Sequence, residues 1–408
     1  MNKWKSIHIS DIGKIVTGKT PKTSVKENYG GNIPFLTPSD DLSNKYAPNT
    51  NKKITVLGLE EVKNCLLPPN SVCVSCIGSD LGKVVMLREH SVTNQQFNSI
   101  IPNDEFCPDY IYYLMTIVGK ELNFIGKTST AVPIVNKSSF SNTEVLVPSL
   151  PIQQKIANIL SSLDDKIEVN RRINEQLEEL AGALFKSWFV DFEPFKDGEF
   201  VDSELGMIPK GWKVGTLSDI GDVVGGATPS KSKSEYYTDN GISWITPKDL
   251  SINKDKFISK GEIDITELGY SKCSAKMMPR GSVLFSSRAP IGYIAIAKNE
   301  LCTNQGFKSI VPQLAGTAFI YYYLKNNVSN IESMASGSTF KEASGALMKS
   351  LNVIVPESNI LQDFEEKVCS IFDKQESLEE EIHHLTTLRD TLLPKLMSGE
   401  IDVNEVEI

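Results

Sequence analysis

Gly13-Lys-Ile-Val-Thr-Gly18-Lys19-Thr20 reproduces the GxxxxGKT spacing that cradles a nucleotide phosphate. That chemistry needs a buried strand ahead of the glycines and a helix starting at the lysine, so that backbone amides and the helix end face the phosphate. Pro21 follows Thr20 at once and disfavours helical geometry there. The expectation is a turn after an apolar strand, with Lys19 exposed. Cys73-Val-Ser-Cys76 is the single CxxC. It has no second pair and no histidine partners, so it reads as buried strand rather than a zinc or redox site. The four histidines (His8, His90, His383 and His384) are scattered, and the adjacent pair turns to different faces of a helix. No Gly-x-Ser-x-Gly elbow, HExxH, dinucleotide fingerprint or Asn/Asp-Pro-Pro-aromatic motif occurs. The sequence leans away from catalysis.

Short polar loops carry a different chemistry. Hydroxyls, amides and basic groups bond phosphates and base edges, with Arg or Lys suited to guanine and Asn or Gln to adenine. In the first half the candidates are Lys19, Thr20, Lys22, Thr37, Ser39, Asp40, Ser75, Ser79, Lys83, Gln95, Gln96, Lys127 and Thr128. In the second they are Thr228, Ser230, Lys231, Lys233, Thr246, Lys248, Asp249, Ser287, Arg288, Asn304, Gln305, Ser338, Thr339 and Lys341. The competing reading is that Thr-Pro and Ser-Gly steps are turn chemistry and that Thr-Asn-Gln fixes a loop internally. It is strongest where the two halves agree, because repeats share scaffold. Recognition then belongs where they differ: Gln96 against Gly306, Ser39 against Lys248, Ile77 against Arg288.

These loops lie at equivalent places because the chain is duplicated. Trp4-Lys5 through Gly18-Lys19-Thr20-Pro21 returns as Trp212-Lys213 through Gly226-Ala227-Thr228-Pro229, a shift of 208. Thr93-Asn-Gln-Gln-Phe97 returns as Thr303-Asn-Gln-Gly-Phe307. A repeat of this length is a duplicated domain rather than a solenoid unit. In each copy short apolar strands alternate with turns: 33–36, 71–74 and 83–86 in the first, 242–245, 282–285 and 293–296 in the second. The aromatic runs 110–114 and 319–324 read as short helices packing a core.

Two connectors have a different rhythm. Ile156, Leu160, Leu163, Ile167, Leu177 and Leu184 follow a heptad seam, with Asn170 and Asn174 as polar seam residues that set register. Phe364, Val368, Ile371, Leu378, Ile382, Leu385 and Leu392 do the same, and Pro394 and Gly399 are expected to close that helix. With a folded module between them, the two helices pair most simply antiparallel, as a rod of roughly 50 Å. The organisation is therefore α+β, with two homologous mixed α/β modules related by a pseudo-two-fold and separated by two long antiparallel coiled-coil helices. The boundaries are 1–150, 151–207, 208–357 and 358–408.

Charge divides along the same lines. Net charge is +2 over 1–150, −6 over 151–209, +4 over 210–357 and −9 over 358–408. Mildly basic modules beside acidic connectors predict different partners for each. With no long apolar run, no signal core and an odd cysteine count, the reading is a cytoplasmic chain without membrane contact.

The whole chain resembles the specificity subunit of type I restriction–modification systems. The residues that carry the likeness are Ile208-Pro-Lys-Gly-Trp212, Thr303-Asn-Gln-Gly-Phe307, Leu150-Pro151 leading into Gln153-Gln-Lys-Ile156, and Leu388-Arg-Asp-Thr-Leu-Leu-Pro-Lys-Leu-Met-Ser-Gly399-Glu-Ile401. The first module departs in lacking the Pro-Lys-Gly lead and in having Gln95-Gln96 for Gln305-Gly306. The resemblance implies a non-catalytic subunit with two target recognition domains, each reading one half of a split, asymmetric sequence in double-stranded DNA. It implies that the helices set the spacer and dock two methyltransferase subunits, with restriction subunits completing the assembly. No cofactor is expected on this chain; S-adenosylmethionine belongs to the methyltransferase, and ATP and Mg to the restriction subunit. A non-DNA-reading assembly scaffold is the alternative.

Overall fold

The computed structural model describes residues 4–46, 50–127, 134–288, 290–337 and 341–404. They form two compact units, Met1–Glu168 with His383–Ile408, and Val169–Ile382. Four helices organise them: α1 (Pro108–Lys127), α2 (Leu150–Phe189), α3 (Thr317–Met334) and α4 (Ser358–Ser398). Each unit holds one α/β module and a segment of both α2 and α4.

The first module has an antiparallel sheet in the order Gly13–Thr17, Phe97–Pro102, Val72–Ser75, Val84–Met86. A second sheet orders Lys52–Ile54, Tyr29–Leu36, Ser91–Thr93 and Leu66–Leu67, with Phe35 parallel to Val92. The second module repeats this plan. Its main sheet runs Gly221–Gly225, Lys308–Pro312, Val283–Ser287, Ile291–Ala297, Phe257–Ile258. Trp244–Ile245 lies parallel to Cys302–Thr303. The repeat holds to the register: Lys5 faces Val147 and Lys213 faces Val355, both partners displaced by 208.

The aromatic runs are core. Tyr110, Tyr113, Phe319 and Tyr322 are almost fully buried. In the second unit Phe189 sits edge-on to Phe319 and Phe364, with ring centroids 4.9 Å apart in both cases. Such contacts add to the burial of three large apolar faces. Cys73 is strand, as expected, and burial pushes its thiol up to about 12.

Within each unit α2 and α4 run antiparallel. In the first, Ile156 and Leu160 share a core with Leu393 and Leu396, and Arg389 donates to Asp164 at 2.7 Å. In the second, Asn170 donates to Glu381 at 2.8 Å and Asn174 to Glu379 at 3.4 Å. The two seam asparagines thus each reach a carboxylate on the opposite helix. Ile156, Leu160, Ile167, Phe364, Val368 and Leu378 are buried, whereas Leu163, Leu177, Leu184, Ile371, Ile382, Leu385 and Leu392 are half-buried. The stripe is wider than a strict seam, because Ala181, Phe185, Phe189 and Phe372 are buried on the same helices against the second module.

One helix stop differs from expectation. Pro394 lies inside α4, which continues to Ser398; Gly399, at φ 75°, ends it. The proline costs the helix one backbone donor, and its buried neighbours Leu393, Leu396 and Met397 hold the last turn on the first module. Among the described residues no helix is long and apolar enough to cross a membrane.

Candidate nucleic-acid interface

In each module the polar loops meet at one turn, Thr93–Gln96 or Thr303–Gly306. Lys19 N–H donates to Thr93 O, Asn94 N–H to Leu36 O, and Cys76 N–H to Gln96 O. The second copy repeats the pattern: Ala227 N–H donates to Thr303 O, Asn304 N–H to Ile245 O, and Ser287 N–H to Gly306 O. Gly18 and Gly226 explain themselves here. A Cβ at Gly18 would lie 2.2 Å from Asn94 O, and one at Gly226 2.0 Å from Asn304 O. The GxxxxGKT match is therefore a close backbone crossing. The strand Gly13–Thr17 leads into a loop, and the first helical turn comes only at Lys26–Asn28.

Several candidates are occupied in holding this frame. Asp40 accepts from Thr37 N–H at 2.7 Å, Thr37 Oγ1 at 3.0 Å and Asn51 N–H at 2.6 Å. Asp249 accepts from Thr246 N–H at 2.7 Å, Thr246 Oγ1 at 2.6 Å and Glu262 N–H at 2.8 Å. Both carboxylates are buried and spent on backbone. Thr20 Oγ1 donates to Gln95 Oε1 at 2.7 Å, and Thr228 Oγ1 to Gln305 Oε1. Each glutamine still has its NH2, and a second lone pair on Oε1, to offer a base edge. Ser75 and Ser287 are buried in strands; Ser287 Oγ donates to Gly306 O at 3.1 Å.

The exposed cations differ between copies. In the first, Lys19, Lys22 and Lys83 are exposed, and Lys83 pairs with Asp80 at 2.7 Å, beside the exposed Ser79. The Lys22 N–H donates to Glu61 at 2.9 Å, which holds that carboxyl below its usual range. Ser39 is exposed and its hydroxyl lies 2.7 Å from Thr37 Oγ1. Gln96 accepts from Asn94 Nδ2 at 2.8 Å.

In the second copy Thr228, Lys231, Thr246, Lys248, Asp249, Arg288, Asn304 and Gln305 line one cavity of about 860 Å³, with Tyr237 and Trp244 in its wall. Gly306, where the first module has Gln96, lies on the same lining. Lys231 makes no ion pair among the described residues, Lys248 pairs with Glu262 at 2.5 Å, and Arg288 stands 3.9 Å from Glu342. The hydrogen bond to Glu262 raises the Lys248 pKa. Glu342 has a nearer cation, Lys308 at 3.3 Å, so Arg288 is loosely held. Ser230 and Lys233 lie beyond the lining; Ser230 lies 2.9 Å from Ser232 and Lys233 3.6 Å from Glu235. Lys341 is exposed. Thr128, Ser338 and Thr339 lie outside the described residues, as does the side chain of Lys127.

Sequence reasoning missed the wall aromatics Tyr237 and Trp244, and also Lys45 and Lys256, two buried lysines 211 apart. Their matching positions in the duplication were the available signal, but a lysine in a loop reads as solvated.

Comparison with known proteins gives a consistent result. The family model described as "Type I restriction modification DNA specificity domain" matches twice, over residues 1–179 and 209–386. The specificity subunit of the type I restriction enzyme MjaIX of Methanocaldococcus jannaschii is 32% identical, over 99% of this chain and 94% of that protein. The HindI specificity subunit of Haemophilus influenzae is 27% identical, over 98% of this chain and all of its own length. The crystal structure of a type I restriction–modification S subunit from M. genitalium shares the fold at a TM-score of 0.61, with 18% identity over 97% of this chain and 96% of that one.

Proposed function

The chain belongs to the type I restriction–modification specificity subunits, and from that premise we propose that its two modules read the two different halves of one DNA site. One observation carries this reading. The two copies share the bonds that build the loop frame and differ in the side chains the frame presents, with Arg288, Lys248 and Gly306 standing where the first module has Ile77, Ser39 and Gln96. A shared scaffold with divergent donors suits two half-sites of unlike sequence.

The subunit supplies recognition and no chemistry of its own. Two methyltransferase subunits dock on α2 and α4, and restriction subunits complete the cytoplasmic complex. S-adenosylmethionine is held by the methyltransferase, ATP and Mg by the restriction subunit. Modest positive charge on each module, +2 and +4, is consistent with partners supplying much of the phosphate neutralisation.

The test is binding of the methyltransferase complex, at fixed salt, to its methylation site and to duplexes scrambled in one half or the other. Each scrambling should weaken binding by at least about tenfold, the order of a single mismatched base pair. Affinity indifferent to both changes would leave an assembly scaffold as the better description.

A further inference from the structure

Both modules drive a lysine from the same loop into the helices. Lys45 and Lys256 have side chains only 4% and 6% exposed. Their backbones are equivalent: Met86 N–H donates to Lys45 O and Ile296 N–H to Lys256 O, each at 2.7 Å. The Lys45 ammonium donates to Asp109 on α1 at 2.5 Å and to Ser161 on α2 at 2.8 Å. Tyr46, Tyr112 and Tyr113 surround it, with ring centroids 5.2–5.8 Å away. The Lys256 ammonium pairs with Glu178 on α2 and donates to Gln375 on α4 at 2.6 Å. Its box is Tyr321, Tyr322 and Phe372, with centroids at 4.2–5.4 Å.

The path of the segment gives these lysines a purpose. The second module's segment leaves the cavity edge at Thr246–Asp249, reaches the helices at Lys256, and returns to the cavity at Glu262. Asp249 ties the two limbs through Thr246 N–H and Glu262 N–H. In the first module Asp40 ties Thr37 N–H to Asn51 N–H in the same way, with Lys45 between. Each excursion is knotted by an aspartate at the polar loops and pinned by a lysine at the helices. The partners of the two cations differ, but both reach α2. What the copies keep is the anchorage rather than a particular pair. A buried ion pair adds little stability over a packed apolar group, and its better-supported use is to select one arrangement. The boxed geometry also suits an ammonium held by ring faces.

We propose that Lys45 and Lys256 are positioning residues for sequence reading: each locks against the helices the loop that carries Asp40 or Asp249, and so aims that module's donors at its own half-site. This rests on the two-half-site reading above. Loss of one clasp then relaxes discrimination in one half only.

The experiment uses the full chain in its methyltransferase complex, as Lys45→Met, Lys256→Met and Lys256→Met with Glu178→Gln. The double variant also removes the carboxylate that loses its buried ammonium in the single one, where Lys325 is left as its cation, so it guards against simple misfolding. Complex assembly and melting temperature are measured beside binding to duplexes mismatched in either half. Lys256→Met, alone and in the double variant, should cut discrimination at the second module's half-site by about tenfold, the scale of one base-pair contact, and leave the other within about twofold. Lys45→Met should do the reverse. An assembled double variant with both discriminations intact, or a single variant that loses both equally, overturns the proposal. If the unsubstituted complex discriminates at neither half, the half-site reading itself has failed.

Discussion

Glu379 shows how much one buried side chain can change with pH. Its carboxylate accepts from the Lys256 N–H at 2.9 Å and the Phe257 N–H at 3.2 Å, and Asn174 reaches it from α2. Burial nevertheless dominates, with Asp255 adding to it, and pushes the carboxyl from 4.5 up to about 7. The folded state then holds this proton more tightly than the unfolded one. The group's contribution is fully present below pH 4.5 and is lost as pH rises through about 7. Glu178, which is paired with Lys256 and Lys325, is held down at about 2 and titrates far from this window. We expect the unfolding free energy of the unsubstituted chain, followed by melting at each pH, to fall relative to Glu379→Gln between pH 5 and 8 by about 1–3 kcal/mol. Parallel profiles would mean that Glu379 titrates normally. None of this was legible in the sequence, where Glu379 is one acid among many on an acidic helix.

At the scale of elements, the loops matter more than the strands that carry them. The strands and aromatic helices followed from apolar runs and turn residues, because such patterns are local. The loop frame did not, because it depends on hydrogen bonds between segments distant along the chain, such as Lys19 with Thr93 and Asn94 with Leu36. Gly18 illustrates the difference. Its letters fit a phosphate loop, yet its role is to let two backbones cross beside Thr93 and Asn94. Gly18→Ala and Gly226→Ala should each cost about 1–3 kcal/mol in chemical denaturation, the usual cost of overpacking. Lys19→Ala should stay within about 0.5 kcal/mol, as surface changes do. A stability loss from Lys19→Ala matching that from Gly18→Ala would contradict this account. Asp40 and Asp249 teach the same lesson: their residue types suggested base contact, and their carboxylates bond backbone N–H groups and a threonine hydroxyl of the frame.

For the whole molecule, the decisive fact is that α2 and α4 each contribute to both compact units. If these helices set the spacing between half-sites, inserting whole helical turns within 156–186 should change the spacer that binding tolerates. One turn adds about 5.4 Å, on the order of one to two base pairs. The half-sites themselves should be unchanged when methylated positions are mapped across a genome; altered half-sites would remove the helices from the role of spacer.

The sequence by itself determined that there are two copies of one domain, joined by long amphipathic helices, and that no familiar catalytic constellation is present. It could do so because repetition, heptad spacing and motif spacing are written along the chain. Only the tertiary structure decided which polar groups are spent on the frame and which remain for a partner, that Pro394 continues a helix instead of ending it, and that Lys45 and Lys256 are buried. Those outcomes depend on what each side chain meets across the fold. Burial and pairing are properties of neighbourhoods in space, and a loop lysine has the same letter whether it faces water or a box of aromatic rings.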